Sequence, residues 1–275
     1  MNKILTTIAS VASFASIVFS TSVHAGEVLD RVLAKKTLTV ATDIEFRPAS
    51  FLNEKHELDG YDVEVAKGIA KYLGVDVKFV TPGWDVITAG KWGDRWEIAM
   101  GQMNPTAARA EKFDFAAVYV YAYAIAAVHK DNKSTQLSDL DGKVVGASTG
   151  TTSESYANHK LTLIGAPPIE YKFTPGKVVS YQSETTAFDD LRLGDGVRVD
   201  GVIASLPTLK KAIEAGYPIK QLDDVLFSSP GTIPILHGDK EFGEKIAAAV
   251  KSMKDDGTLS KLSMKWYGVD YTIAK

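Results

Sequence analysis

The chain has 275 residues, with 31 Lys and Arg against 34 Asp and Glu, for a formal charge of −3. With 45% hydrophobic and 24% charged residues it has the balance of a folded globular protein, and no basic surplus that would draw a nucleic-acid partner. Zero cysteines exclude a thiol nucleophile, a zinc–cysteine site, an iron–sulfur cluster and any disulfide.

Residues 1–25 are expected to form a signal peptide. Lys3 supplies the positive start, residues 4–19 the apolar stretch, and Val23-His24-Ala25 the small-residue cleavage signal before Gly26. That stretch, diluted by Thr6, Thr7, Ser10, Ser13 and Ser16, falls short of the roughly 20 apolar residues of a spanning helix. With no cysteine for lipid attachment, residues 26–275 are expected to be exported and freely soluble, in the periplasm.

From Gly26 onward strands and helices alternate. Residues 37–41 form a β-rich run. Residues 61–73 place Val63, Ala66, Ile69, Ala70 and Leu73 at helical spacing before a Gly74 stop. A strand is expected at 75–80, a helix at 84–91, a strand at 96–101 and a short helical stretch at 106–111. The apolar segment 115–128 alternates Tyr119, Tyr121 and Tyr123 as a buried strand does. A second series follows: strand 143–147, helix 151–159, strand 178–181, helix 185–193, strand 199–204, helix 206–215 and an extended piece at 219–222. Two helices, 241–256 and 258–267, close the chain and are expected to pack back on the first series. Two βαβ series predict two α/β lobes, and such sheets bind ligands beyond the carboxyl ends of their strands.

Just after the strands lie three polar groups. Asp43, Glu45 and Phe46 follow the first strand and combine carboxylates with an aromatic face; the plainer reading is a solvated loop with a capping Asp. Gln102, Asn104 and Arg109 follow the third, where an Arg at a cleft edge could grip a carboxylate or pair with Glu111 or Asp114. Ser148-Thr149-Gly150-Thr151-Thr152 joins a strand to a helix as an anion site would, or as ordinary capping. Trp84 opens a helix directly after a Pro-Gly turn, at the expected cleft edge. Sequence patterns for a P-loop, a dinucleotide fingerprint, a zinc protease and a serine-hydrolase elbow are all missing, so nothing in the residues calls for a cofactor or a metal.

Together these residues resemble the family 3 extracellular solute-binding proteins of polar amino-acid ABC transporters. The likeness runs in order along nearly all of residues 26–275. It is carried by Thr42-Asp43 with Phe46 and Pro48, residues 58–66 (LDGYDVEVA), Thr106 with Arg109, Phe113-Asp114-Phe115, and Val145-Gly146 leading to Gly150-Thr151-Thr152. It continues through Tyr181, Asp200, Met253, Asp256-Gly257-Thr258 and Lys265-Trp266-Tyr267-Gly268. The resemblance implies a two-lobed α/β periplasmic binding protein of type II, two lobes joined by two hinge strands around a ligand cleft. Lobe 1 would hold 26–121 and 230–275, and lobe 2 would hold 122–229.

The resemblance makes Arg109 the grip on a ligand α-carboxylate, aided by the helix start at Thr151 and Thr152. Gln102 and Asn104 match polar ligand positions, Phe46 and Trp84 the walls of a side-chain sandwich, and Asp43 an acidic neighbour. One position departs from the pattern: the strand 199–204 normally ends in an Asp that pairs with the ammonium, and here Ser205 stands there. Glu45 or Glu184 would then supply the charge, or the ligand is a modified amine, or its positive charge lies elsewhere. The function implied is capture of a polar or cationic amino acid, or an amino-acid-derived zwitterion, by a monomer that delivers it to an inner-membrane ABC permease. The alternative is an exported enzyme on the same fold, such as a cyclohexadienyl dehydratase.

Overall fold

The computed structural model describes residues 26–274, so the expected signal peptide lies outside the described residues. The chain begins with α1 (Glu27–Lys35), β1 (Thr37–Ala41) and a meander of β2 (Glu45–Phe46), β3 (Ser50–Leu52) and β4 (Leu58–Asp59). Then come α2 (Tyr61–Leu73), β5 (Asp76–Val80), α3 (Trp84–Thr88), β6 (Ile98–Ala99), α4 (Ala107–Ala110) and the long β7 (Phe113–His129). The second series is β8 (Val144–Ser148), α5 (Thr152–Ala157), β9 (Lys177–Tyr181), α6 (Glu184–Leu191), β10 (Gly201–Ser205) and α7 (Leu206–Glu214). It ends in β11 (Ile219–Leu236), followed by α8 (Lys240–Asp255) and α9 (Thr258–Tyr267).

β1 is the centre of a parallel three-stranded sheet, ordered β5-β1-β6. α2 covers it because Val65, Ala66, Ile69 and Ala70 recur on one helical face and are buried with Leu38 and Val40. Gly74 ends α2 with φ +70°, a left-handed turn that an L side chain resists. α8 joins this core through Phe242, Ile246, Ala249 and Val250, as the sequence predicts for the closing helices. The larger sheet runs β11-β7-β10-β8-β9 and carries its own cores, one around Val145, Tyr156 and Ile203 and another around Phe188, Leu191 and Val202.

β7 and β11 belong to both halves. Tyr119, Val120, Ile233 and Ile235 pack with α2 and α8, whereas Ala126, Val128 and Leu222 pack in the larger sheet. The two strands pair antiparallel from Ile219–His129 to Leu236–Phe113.

Several expected elements change length. The piece at 219–222 is only the start of β11, whose register shifts after Leu222, Gly231 and Ile233 let the pairing pass two prolines. The helix expected over 84–91 stops at Thr88, ahead of Gly90 at φ +75°. The strand expected over 96–101 keeps only Ile98–Ala99, because the chain turns at Gly101 and Gln102. The helix expected over 151–159 is Thr152–Ala157, closed by His159 at φ +55°. α1 and the β2–β4 meander are additions that the sequence reading lacks.

Candidate functional site

Between the two sheets lies a cavity lined by all eleven residues singled out from the sequence: Asp43, Glu45, Phe46, Trp84, Gln102, Asn104, Arg109, Thr151, Thr152, Glu184 and Ser205. They stand at or beyond the carboxyl ends of β1, β5, β6, β8, β9 and β10, in loops, in the helices that follow and in the short β2, where α/β sheets leave backbone free of the ladder.

Arg109 is 9% exposed, and burial lowers its guanidinium to a pKa of about 10, still charged at neutral pH. It forms no ion pair with Glu111 or Asp114. Its Nη1 donates to the Asn104 carbonyl at 2.9 Å and its Nη2 to the Gly150 carbonyl at 3.0 Å, the second bond crossing the cleft. The Trp84 ring lies 5.6 Å from the guanidinium carbon, and its indole N–H donates to the same Gly150 carbonyl at 3.3 Å. Gly101 is required beneath that ring, since a Cβ there would stand 2.5 Å from a Trp84 carbon.

Asn104 and Thr152 form a second bridge. The Thr152 hydroxyl donates to Asn104 Oδ1 at 2.7 Å, and Asn104 Nδ2 donates to the Pro230 carbonyl at 3.1 Å. The Asn104 amide therefore ties the cleft together rather than standing free. Thr151 caps α5, its hydroxyl oxygen accepting from Glu154 N–H at 3.2 Å. The Gly150 N–H donates to the Glu154 carboxylate at 2.8 Å, so the chain itself occupies part of the expected anion loop. The amides of Thr152 and Ser153, at the start of α5, have no intrahelical acceptor.

The carboxylates divide sharply. Glu45 is exposed on β2, and its N–H donates to Asp43 Oδ1 at 2.8 Å. Burial raises the Asp43 carboxyl above the ordinary range, against that hydrogen bond. Glu184 accepts from the Ser205 N–H at 2.9 Å and from the Ser205 hydroxyl at 2.9 Å. It thus carries a carboxylate to the strand end where the sequence lacks an Asp. Burial raises the Glu184 carboxyl, while Ser205 and Thr208 favour its charged form. Among the described residues it has no cationic partner.

Gln102 lines the cavity, but its amide nitrogen turns inward to Asp62 Oδ1 at 3.3 Å and to the Tyr267 hydroxyl at 2.8 Å. The wall also includes Ser148, from the expected anion loop, and Tyr123, Ser153, Gln182 and Phe227, which the sequence reading did not single out for the site. Tyr123 reads only as part of an alternating strand, and Phe227 lies beyond the extended piece at 219–222 in a stretch given no element. Among the described residues no group of three metal-ligating side chains occurs, and no helix is long and apolar enough to cross a membrane.

Two α/β sheets with a polar, mixed-charge cavity between them define a solute-binding architecture. The sequence profile of the bacterial extracellular solute-binding proteins, family 3, matches residues 38–269, and the chain belongs to that family. A probable amino-acid ABC transporter-binding protein of Haemophilus influenzae is 29% identical over 99% of this chain and 100% of its own. The Escherichia coli L-cystine-binding protein TcyJ is 28% identical over 89% of this chain and 87% of its own. Among solved structures, the ancestral amino-acid-binding protein AncCDT-1, a precursor of cyclohexadienyl dehydratase, superposes with a TM-score of 0.76 at 30% identity, covering 88% of this chain and 100% of its own. An ancestral arginine-binding protein bound to arginine gives 0.73 at 31% identity, covering 85% of this chain and 99% of its own.

Proposed function

We propose that this protein is the periplasmic substrate-binding component of an ABC importer for an amino acid or an amino-acid-derived zwitterion. The observation that carries this reading is one cavity lined from opposite sheets by a buried cation, Arg109, and by an unneutralised carboxylate, Glu184. A zwitterion supplies both missing counter-charges at once, and burying either charge alone would be costly. The names of the Haemophilus influenzae and Escherichia coli relatives support the same class. In this reading Arg109 and the α5 amides hold the carboxylate, and Glu184, in place of an Asp at position 205, holds the ammonium. Trp84 and Phe46 flank the side chain, and Asp43 and Glu45 favour a cationic one.

The lobes would be 26–121 with 230–275, and 122–229, with β7 and β11 as hinge strands. Closure of a monomer on its ligand is the state the permease would recognise. A micromolar dissociation constant needs only about −8 kcal/mol, within reach of one Arg grip, one ammonium partner and an aromatic wall.

A second reading, an exported enzyme on this fold, has one observation in its favour. Burial raises the Glu184 carboxyl, which is what a proton donor needs. One experiment separates the two. Protein lacking residues 1–25 and stripped of ligand is screened by thermal shift against the amino acids, their N-methylated and opine-like derivatives, and prephenate. A cognate ligand at 100-fold over its dissociation constant adds about 2.7 kcal/mol, an easily read shift. A shift with an amino acid or its derivative is expected. No shift with any zwitterion, together with consumption of prephenate, overturns the transport reading.

A further inference from the structure

Behind the cavity sits a knot of polar groups that no ligand contact explains. Asp62, in the first turn of α2, is fully buried. Its Oδ1 accepts from Gln102 Nε2 at 3.3 Å, and its Oδ2 is buried with no hydrogen-bond partner among the described residues. Gln102 is held from several sides. Its backbone is left-handed at φ +55°, its N–H donates to the Tyr119 hydroxyl at 2.9 Å, and its Nε2 also donates to the Tyr267 hydroxyl at 2.8 Å. Tyr61 completes the knot, stacked on Tyr119 with ring centroids 5.9 Å apart and donating its hydroxyl to the Tyr119 carbonyl at 2.7 Å.

We propose that Asp62 is a positioning residue for ligand recognition: it fixes which end of the Gln102 amide faces the cavity. An ionised carboxylate only accepts, so the group turned toward it must be the NH2. The two Gln102 amide N–H groups are then used by Asp62 and Tyr267, and Oε1 is left as the atom without a protein partner on a residue that lines the cavity. The cavity wall gains an acceptor, which matches a ligand N–H and disfavours a ligand oxygen. A purely structural site would be served better by a neutral residue, since a buried carboxylate with an open oxygen costs stability. This inference rests on the binding reading above and extends it to a residue outside the cavity.

Burial pushes the Asp62 carboxyl up to about 7, with the Gln102 amide and the neighbouring Tyr119 hydroxyl pulling the other way. Once protonated, Asp62 can donate, and the amide is free to turn its Oε1 inward and its NH2 toward the ligand. The other titratable groups facing it are Tyr61 of α2, Tyr119 of β7 and Tyr267 of α9. All three phenols are raised well above 10 by burial, and each also feels the Asp62 charge. Asp270, beyond α9, adds its charge at Tyr61. Asp62 is therefore the one member of the knot that changes charge near neutrality.

The test follows the Gln102 side-chain NH2 signals by NMR in ligand-free protein from about pH 5.5 to 8.5, the window around the raised carboxyl. The signals are assigned by their loss in Gln102→Glu. A transition centred near 7 is expected, and it should be absent in Asp62→Asn. Signals that stay constant with pH in the wild type and match those of Asp62→Asn overturn the proposal, as does the same transition in Asp62→Asn. Thermal-shift titration with each of the twenty amino acids at both ends of that window gives the functional arm. Wild-type affinity should fall toward low pH by about fivefold more than that of Asp62→Asn, the scale of one hydrogen bond. The comparison cancels Asp43 and Glu184, which are raised in the same cavity. Equal pH dependence in the two proteins overturns the recognition role. Binding by none of the twenty amino acids or their derivatives would instead count against the binding reading, and the NMR result would still decide the state of Gln102.

Discussion

Glu184 holds its carboxylate against the N–H and hydroxyl of Ser205 with no cation to neutralise it among the described residues. Its folded-state carboxyl is raised, so it binds its proton more tightly folded than unfolded. The linkage sign follows: its contribution to stability is present at low pH and is lost as pH rises through the raised value. Glu184→Gln keeps the shape and an acceptor while removing the charge. Ligand-free Glu184→Gln should therefore melt above wild type near pH 8, with the difference closing as pH falls. Its affinity for a ligand ammonium should drop about tenfold or more, the loss of one charge-assisted hydrogen bond. Calorimetric titration and melting curves on the same samples check both. A variant that melts lower and binds unchanged would assign Glu184 to the scaffold.

At the scale of elements, one side chain hydrogen-bonds α1 to the far end of the chain. Asp239 caps α8 by accepting from Phe242 N–H at 2.8 Å, and its other oxygen accepts from Val28 N–H at 2.8 Å and Leu29 N–H at 3.2 Å. Asp239→Ala removes a cap and leaves the first amides of α1 without an acceptor. A loss of about 2 kcal/mol is expected, read as a shift in the denaturant midpoint with affinity unchanged. Such long-range contacts mark what the sequence could not show. α2 is legible because its apolar spacing and Gly74 are local signals. β11 is not, because Ser228, Ser229, Pro230 and Gly231 carry no strand signal of their own and are ordered as strand only by pairing with β7. The same divide runs through the site. Arg109, Trp84 and Gly150 stand just after strands, where polar residues mean a cleft, whereas Asp62 looks like a solvated helix start in LDGYDVEVA. Gln102, Tyr119 and Tyr267, all from distant elements, gather round it where it is fully buried. Ser205 and Glu184 show the divide in one pair, since the missing Asp is visible at one position and leaves Glu45 and Glu184 both as candidates, while only the fold brings Glu184, 21 residues earlier, against Ser205.

For the molecule as a whole, the hydrogen bonds that cross the cleft among the described residues are few. Thr152 meets Asn104, Arg109 and Trp84 meet the Gly150 carbonyl, and Ile164 N–H donates to the Pro105 carbonyl at 3.0 Å. In the proposed reading this is the closed state, and a ligand that adds counter-charges to both walls would shift its balance with an open one by its differential affinity. Thr152→Val removes one bond that exists only when the walls meet, and it leaves Asn104 Oδ1 buried without its donor. If ligand first lands on an open cleft, that variant should keep its association rate and release ligand faster. The expected increase is about five- to tenfold, corresponding to about 1–1.4 kcal/mol. Stopped-flow fluorescence on Trp84, which borders both the cavity and the crossing bond, reads both rates. A slowed association with unchanged release would mean that Thr152 acts on the open protein, and closure would then have to be held by the ligand alone.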